Sequence, residues 1–451
     1  MYIEQLISIL GKDKVSQSET ELFRHSQDES AHDEVEPDIV CFPESKEDVQ
    51  KIMQIASEHK IAVTAFGIGS GLEGQAIPLE KGISVNFERM NKVLDFSPED
   101  MTITVQPGIT RLQLNEQINK HGLQFPIDPG ADATIGGMVA TNASGTTAVR
   151  YGSMRDQVLD LEVVLADGRM IKTGSRAKKS SSGYHLSGLF TGSEGTLGLI
   201  TEITLKLHGI PEHIIAASCT FETVEECAEA AYMILASDIP VMRMELVDAS
   251  SIRVINDYGD YTFPVEHSLF FEFAGAKSSV EAQVVLAEEL MKDVGCKHWE
   301  IAEDSLKRNE IWKARHEMAY AFRHQKGKKF FSTDICVPIS KLPELVHFAR
   351  EKLEEFRLQG GILGHVGDGN FHTLIMFDPN DEEEKKRADA FNEALVLKAI
   401  EVDGTCTGEH GVGLGKMRYQ RAEHGEAVDV MKGIKALLDP NNLLNPGKIF
   451  E

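Results

Sequence analysis

FGIGSGLEGQ, residues 66–75, places glycines at 69, 71 and 74. The spacing Gly69-x-Gly71-x-x-Gly74 formally matches the dinucleotide-binding fingerprint, and its reading decides the fold. A Rossmann loop opens a helix whose N-terminus faces the pyrophosphate. Here AIPLEKGISVNF follows, with Pro78 and Gly82 and then a strand-like run, so the Rossmann reading is rejected. What remains is either a tight connection between strands or a glycine loop that acts as an anion-binding nest. In the second case its backbone N–H groups come close to a phosphate.

A second loop favours the nest. FPIDPGADATIGGMVATNASGTTAVRYG (125–152) is built almost entirely of small residues, with Asp128, Asp132, Asn142 and Ser144 as polar exceptions. A long stretch so poor in large apolar side chains cannot pack as ordinary core. Something else fills the space, or the backbone approaches something closely. A third segment, TGSEGTLGLITE (191–202), repeats the pattern before a strand. The three loops together fit one large, flat, phosphate-bearing ligand.

Around these loops the chain reads as alternating elements. MYIEQLISILGKDK is an amphipathic helix. SKEDVQKIMQIASEHK (45–60) is a helix with Ser45 as N-cap and Asp48 three residues later. IAVTAFG, GISVNF and MTITVQPG read as strands, and RLQLNEQINKHG as a helix closed by Gly122. VLDLEVVLADGRMIKTG is a hairpin with an Asp-Gly turn at 167–168. GTLGLITEITLKLHGIPE is a further strand, and Pro211 marks a break near 208–212. Beyond it, TVEECAEAAYMILAS, SSVEAQVVLAEELMKDVG and LPELVHFAREKLEEFRLQG read as helices. HSLFFEFAG and GILGHVGDGNFHTLIMF read as strands between them, which predicts an α+β domain with an antiparallel sheet. The charge run DPNDEEEKKR (378–387) is the solvated start of a helix.

Composition narrows the function. The 451 residues suffice for two or three domains, and the net charge of −25 argues against nucleic acid and a basic membrane-surface patch. No apolar run reaches about 18 residues, so no spanning helix is expected. The N-terminus lacks the marks of a signal peptide. The six cysteines are scattered with no C-x-x-C, which points to reduced thiols, a cytoplasmic protein and no iron–sulfur cluster.

GHVGDGNFH (364–372) carries two histidines around a Gly-Asp-Gly-Asn centre. With Asp368-Gly369 as a two-residue hairpin turn, Gly367 faces Asn370, Val366 faces Phe371 and His365 faces His372. Directly opposite residues share a face with Cβ atoms ~4.5–5.5 Å apart, close enough for both imidazoles to hold one metal ion. The alternative is two surface histidines on a hairpin. TGEHGVG (407–413) offers Glu409 and His410 among glycines, and IWKARHEM (311–318) offers Arg315 on a helix. Structural ion pairing and solvation are the plain readings of these.

The order FGIGSGLEG, PGADATIGGMVATNASGT, GLFTGSEGTLGLIT resembles the flavoenzymes that bind FAD in the fold shared by vanillyl-alcohol oxidase and p-cresol methylhydroxylase. HVGDGNFH, GTCTGEHGVGLGK and NPGKIF resemble the C-terminal half of the family that joins D-lactate dehydrogenase (cytochrome) and the GlcD-type glycolate oxidases. The resemblance covers nearly the whole chain. It implies an α+β protein with a two-part FAD-binding domain of the vanillyl-alcohol oxidase type and an α+β substrate (cap) domain with an antiparallel sheet. The expected division is 1–208 for FAD binding, 209–404 for the cap with the metal hairpin, and 405–451 returning to the FAD site. The resemblance places the FAD pyrophosphate on 67–75, with Ile68, Gly69, Ser70, Gly71, Leu72 and Glu73. Around the rest of the cofactor it sets Pro129, Gly130, Ala131, Thr134, Gly136, Gly137, Asn142, Ser144 and Gly145, then Glu194, Gly195, Ile200 and Asn445. The first loop has no histidine, so FAD is expected to be non-covalent. The resemblance assigns His365, His372 and Glu409 to a divalent metal, His410 to catalysis and Arg315 to the substrate carboxylate. Two nitrogens and a carboxylate suit zinc, with manganese, iron or cobalt as alternatives.

The implied chemistry is oxidation of a small (R)-2-hydroxy acid. The hydride leaves Cα for flavin N5, and the hydroxyl proton needs a base. An imidazole of pKa about 6.5 falls roughly 9 units short of an alcohol near 16, on the order of 12 kcal/mol. A metal able to lower bound water from 15.7 to about 7 covers much of that gap, leaving His410 to take the proton. Relatives acting on D-2-hydroxyglutarate carry extra polar residues near 319, 332 and 374, where this chain has Ala319, Ser332 and Leu374. The run STDICVPIS (332–340) also resembles the D-lactate branch. The substrate expected is therefore a monocarboxylate, D-lactate first and glycolate next. A D-2-hydroxyglutarate dehydrogenase, a non-redox flavin synthase of the alkyl-dihydroxyacetone-phosphate type and a metallohydrolase are the competing readings. With no nicotinamide fingerprint, electrons are expected to leave for a quinone, a cytochrome, an electron-transfer flavoprotein or a partner subunit. The expected address is cytoplasmic, with peripheral attachment at the inner face of a membrane as a variant.

Overall fold

A computed structural model describes residues 2–451. The chain divides into two compact units. The first contains Met1–Gly145, Tyr151–Ile210 and Glu409–Glu451; the second contains Thr146–Arg150 and Pro211–Gly408.

The first unit holds a four-stranded sheet in the order Val15–Ser16, Ile39–Cys41, Ile83–Asn86, Val63–Phe66. The last three strands are parallel, with Val63 and Ile39 both in register with Ile83. Parallel neighbours need a crossover, and the helix Lys46–His59 supplies it between Ile39–Cys41 and Val63–Phe66. Ser45 caps that helix as expected, its Oγ accepting the Asp48 N–H at 3.2 Å. Ile52, Met53, Ile55 and Ala56 bury its apolar face against Ile39, Val63 and Ile83. Between Phe66 and Ile83 the described chain forms no helix, in accord with rejection of a Rossmann loop.

A second, antiparallel sheet runs in the order Val93–Ser97, Thr102–Val105, Leu199–Lys206, Val158–Val164, Met170–Lys172. The expected hairpin closes through Asp167-Gly168, with Gly168 at φ +82° and its N–H on the Leu165 carbonyl at 2.9 Å. The tail of the chain returns to the first sheet. The Val63 N–H donates to the Leu443 carbonyl at 2.7 Å, and the Asn445 N–H to the Val63 carbonyl at 2.8 Å.

The second unit is the expected antiparallel α+β arrangement. Its main sheet runs His298–Ala302, His213–Phe221, His267–Gly275, Arg243–Val247, Gln359–Gly364, Asn370–Phe377, Lys329–Ser332, with Ile335–Cys336 also paired to Asn370–Phe377. The helix Ser305–Arg323 buries Ala314, Met318, Ala321 and Phe322 at helical spacing. They pack with Phe270, Leu363 and Leu374 of the sheet. Arg315 borders that buried stripe, so packing of the helix fixes where its guanidinium emerges.

The register of the histidine hairpin differs from the expected one. Leu363, not His365, faces His372, and the strands end at Gly364 and Asn370. The connection therefore spans 365–369 rather than the two residues Asp368-Gly369. Three local facts account for the longer turn. The His365 carbonyl accepts the Asp368 N–H at 3.2 Å, closing a tighter turn inside the loop. Val366 is fully buried, so it serves the core rather than the ladder. Gly369, at φ +87°, lies so close to the Val337 carbonyl that a Cβ would collide with it.

Candidate functional site

In the first unit the loop after Val63–Phe66 presents its backbone outward. Among the described residues, none of the N–H groups of residues 67–72 donates to a protein acceptor. Ile68 is 43% exposed, large for an apolar residue between glycines. Gly69 (φ +76°) turns the chain sharply, and a side chain there would press on the Phe66 ring. Ser70, Gly71 and Leu72 continue the open run, and Glu73 is buried at its end.

The second loop lies against the first. An added Cβ on Gly67 would come 2.7 Å from Thr134 Oγ1. Thr134 caps the short helix Ile135–Thr141 and accepts the Gly137 N–H at 3.2 Å. The Gly136 N–H donates to the Pro107 carbonyl at 2.8 Å, and the Gly136 backbone is pressed onto that proline. Pro129, Gly130 and Ala131 are partly or fully exposed, with open space beside Gly130. Gly145 packs on the Asp128 carbonyl. The side-chain carbonyl of Asn142 accepts the Ser153 hydroxyl at 3.0 Å and the Arg155 N–H at 2.9 Å, so that side chain braces the loop. Ile200 lies in the apolar core beside Ile203, and Gly195 approaches Ala65.

Asn445 ties the first loop to the third. Its Nδ2 donates to the carbonyls of Gln75 at 3.0 Å and Glu194 at 2.8 Å. Lys448 Nζ adds bonds to the carbonyls of Gly74 at 2.7 Å and Ile77 at 2.6 Å, and burial lowers its pKa to about 8. Outward donors, small residues and an exposed isoleucine on three tied loops fit a flat cofactor that carries phosphate.

The segment beginning at Glu409 is held by the same loops. Ser144 Oγ donates to Glu409 Oε2 at 2.9 Å, and Gln75 Nε2 donates to the His410 carbonyl at 2.6 Å. The Glu194 carboxylate accepts the N–H groups of Val412 at 2.6 Å and Gly413 at 2.8 Å. Burial pushes the Glu194 carboxyl up from 4.5 to about 7, against the opposing pull of those N–H groups. The folded chain therefore keeps a proton that the unfolded chain releases. Its contribution to stability is full below about pH 4.5 and lost as pH rises through about 7. Urea melts across that window are expected to show the decline, and Glu194→Gln to flatten it.

The second unit brings the two histidines together despite the shifted register. Their rings lie 5.6 Å apart and nearly perpendicular, at 86°. They offer ligand nitrogens within 4.8 Å of each other. His365 Nδ1 is 2.7 Å from Glu245 Oε1, and His372 Nδ1 is 3.0 Å from the Thr333 carbonyl. A carbonyl can only accept, so His372 Nδ1 carries the proton and Nε2 is the donor nitrogen for a metal. Arg315 joins the cluster through Glu245, with Nε and Nη2 each 2.7 Å from Oε2.

Two buried acids here are absent from the sequence reading. Glu245 lies mid-strand in Arg243–Val247 with nothing local to mark it. Asp334 lies 3.7 Å from His372 Nδ1 and accepts from Asn370 Nδ2 at 2.9 Å and from the Thr407 hydroxyl at 2.7 Å. Its place in STDICVPIS was the available signal.

Comparison with known proteins follows this geometry. The pattern of the family described as "FAD linked oxidases, C-terminal domain" matches residues 210–449, and that of "FAD binding domain" matches 37–174. The chain is 46% identical to "Probable D-lactate dehydrogenase, mitochondrial" of Danio rerio, over 98% of this chain and 90% of that protein. It is 42% identical to "D-lactate dehydrogenase [cytochrome], mitochondrial" of Arabidopsis thaliana, over 99% and 80%. It is 33% identical to "Glycolate oxidase subunit GlcD" of Bacillus subtilis (strain 168), over 99% and 96%. Among solved structures, p-cresol methylhydroxylase superposes with a TM-score of 0.80 at 19% identity, covering 99% of this chain and 96% of that one. Alkyldihydroxyacetonephosphate synthase gives 0.79 at 19%, covering 99% and 84%. Both likenesses bear on the fold alone. Among the described residues no helix is long and apolar enough to cross a membrane.

Proposed function

From its membership of the FAD-linked oxidases, where this chain is an FAD-dependent hydroxy-acid dehydrogenase, we propose that it oxidises D-lactate, and glycolate less well, to the 2-oxo acid. The observation that carries the finer reading is the buried histidine pair beside Arg315. Each ring of the pair has its Nδ1 engaged by protein.

FAD, when bound on the glycine loops, supplies the two-electron acceptor. A divalent metal, zinc by donor type, would be held by His365, His372 and Glu409 and would acidify the substrate hydroxyl. Chain connectivity supports the third ligand. The Gly408 backbone packs against Asn370 and Asp334, and Glu409 is the next residue, with Cα atoms about 3.8 Å apart. The protein's own work is binding and proton transfer. Arg315 pairs with the substrate carboxylate, and His410 takes the hydroxyl proton on its imidazole.

Substrate size follows from what the sheet does not offer. Ser332 faces Leu374 across the ladder, and the Ser332 hydroxyl is turned to the Thr333 carbonyl at 3.0 Å. With Ala319 the three positions hold no cation for a second carboxylate. The six cysteines form no disulfide among the described residues, which suits a reducing compartment. They also form no ligand set for a cluster, so the proposed acceptor is external: a quinone, a cytochrome, an electron-transfer flavoprotein or a partner subunit.

The deciding experiment follows the flavin band of the purified protein anaerobically. D-lactate is expected to bleach it fastest and glycolate next, with L-lactate and D-2-hydroxyglutarate far behind. Fastest bleaching by D-2-hydroxyglutarate would move the enzyme to dicarboxylates. Bleaching by none of the four would remove the substrate assignment.

A further inference from the structure

We propose that Glu245 is a positioning residue that sets the metal ligand His365 and the substrate arginine Arg315 from one carboxylate. The proposal deepens the function above and rests on its reading of those two residues. Glu245 is wholly buried in the strand Arg243–Val247. The neighbouring pairs Leu246–Gly364 and Val247–Leu363 set its place, so extending the register by one residue brings Glu245 level with His365. One oxygen, Oε1, lies 2.7 Å from His365 Nδ1. The other, Oε2, lies 2.7 Å from both Nε and Nη2 of Arg315.

Each oxygen has a separate consequence. A carboxylate on His365 Nδ1–H fixes the tautomer, aims Nε2 and strengthens it as a donor. Loss of such a partner costs on the order of 10–100-fold in metal affinity. On the other side, Glu245 occupies the Nε–Nη2 edge of Arg315. The guanidinium is held flat and fixed in direction, leaving its Nη1 side for the carboxylate of a substrate. A 2-hydroxy acid presents hydroxyl and carboxylate on adjacent carbons. One residue spanning both anchors therefore fixes the spacing that selects this class.

Two substitutions separate the oxygens. In Glu245→Gln the amide oxygen can still accept from His365, while the amide N–H₂ confronts the donors of Arg315. Zinc affinity of the FAD-loaded full chain, read by chelator competition, is expected to stay near wild type. The KM for D-lactate is expected to rise about 10–100-fold, the loss of one charged hydrogen-bond pair, with a far smaller change in kcat. In Glu245→Leu both are lost, and zinc affinity is expected to drop on the order of 10–100-fold as well. A wild-type KM in Glu245→Gln, or wild-type zinc affinity in Glu245→Leu, overturns the proposal. Should the leucine variant not fold, the glutamine variant decides alone. Wild-type protein that takes up no zinc would instead overturn the metal reading and this proposal with it.

Discussion

Chelating the metal from the FAD-loaded protein is expected to slow flavin reduction by D-lactate by on the order of 10³-fold or more, with the flavin band itself unchanged. The reason is a proton that no imidazole can remove unaided. A Lewis acid on the hydroxyl is worth several kcal/mol, and each ~1.4 kcal/mol is a factor of ten in rate. The flavin should stay bound, because the loops that fit it are tied by Asn445 and Lys448 rather than by the histidines. Zinc added back should restore the wild-type rate but leave His365→Ala and His372→Ala slow. Stopped-flow absorbance reads both. A chelated protein that still reduces its flavin at full rate would show that the histidine pair is structural.

Replacing His410 with alanine is the second large effect, about 10²–10⁴-fold in the rate of anaerobic bleaching, the usual worth of a positioned base. The backbone there is held independently of the imidazole. Gln75 bonds the His410 carbonyl, and the Glu194 carboxylate holds the next N–H groups. The variant should therefore retain FAD and metal, and the loss should fall on kcat more than on KM. An unchanged bleaching rate would exclude His410 as the base.

The glycine loops could be read from sequence because their demand is local. A stretch such as 125–152 without large side chains has few ways to pack, and a loop followed by Pro78 cannot open a helix at once. The capped helix at 46–59 and the Asp-Gly hairpin were legible for the same reason. The register of GHVGDGNFH was not, because it is decided by burial of Val366 and the approach of Gly369 to Val337, residues distant in sequence. The histidines still meet, since ring proximity tolerates a slip that ladder pairing does not. Glu245 and Asp334 gave no usable signal. A buried acid in a strand differs from an exposed one only through partners that the fold brings from elsewhere.

The return of the tail to Val63 also bears on biosynthesis. A ribosome delivers residues 211–408 before 409–451, so the antiparallel second unit is available whole while the first still lacks its last piece. Until Leu443 and Asn445 emerge, the Val63–Phe66 strand has an unpaired edge, an invitation to wrong pairing that a chaperone would have to shield. Asn445 and Lys448 also fasten the first glycine loop, so the nascent protein could not hold its cofactor before termination. Cofactor capture would then act as a late quality check on completed chains.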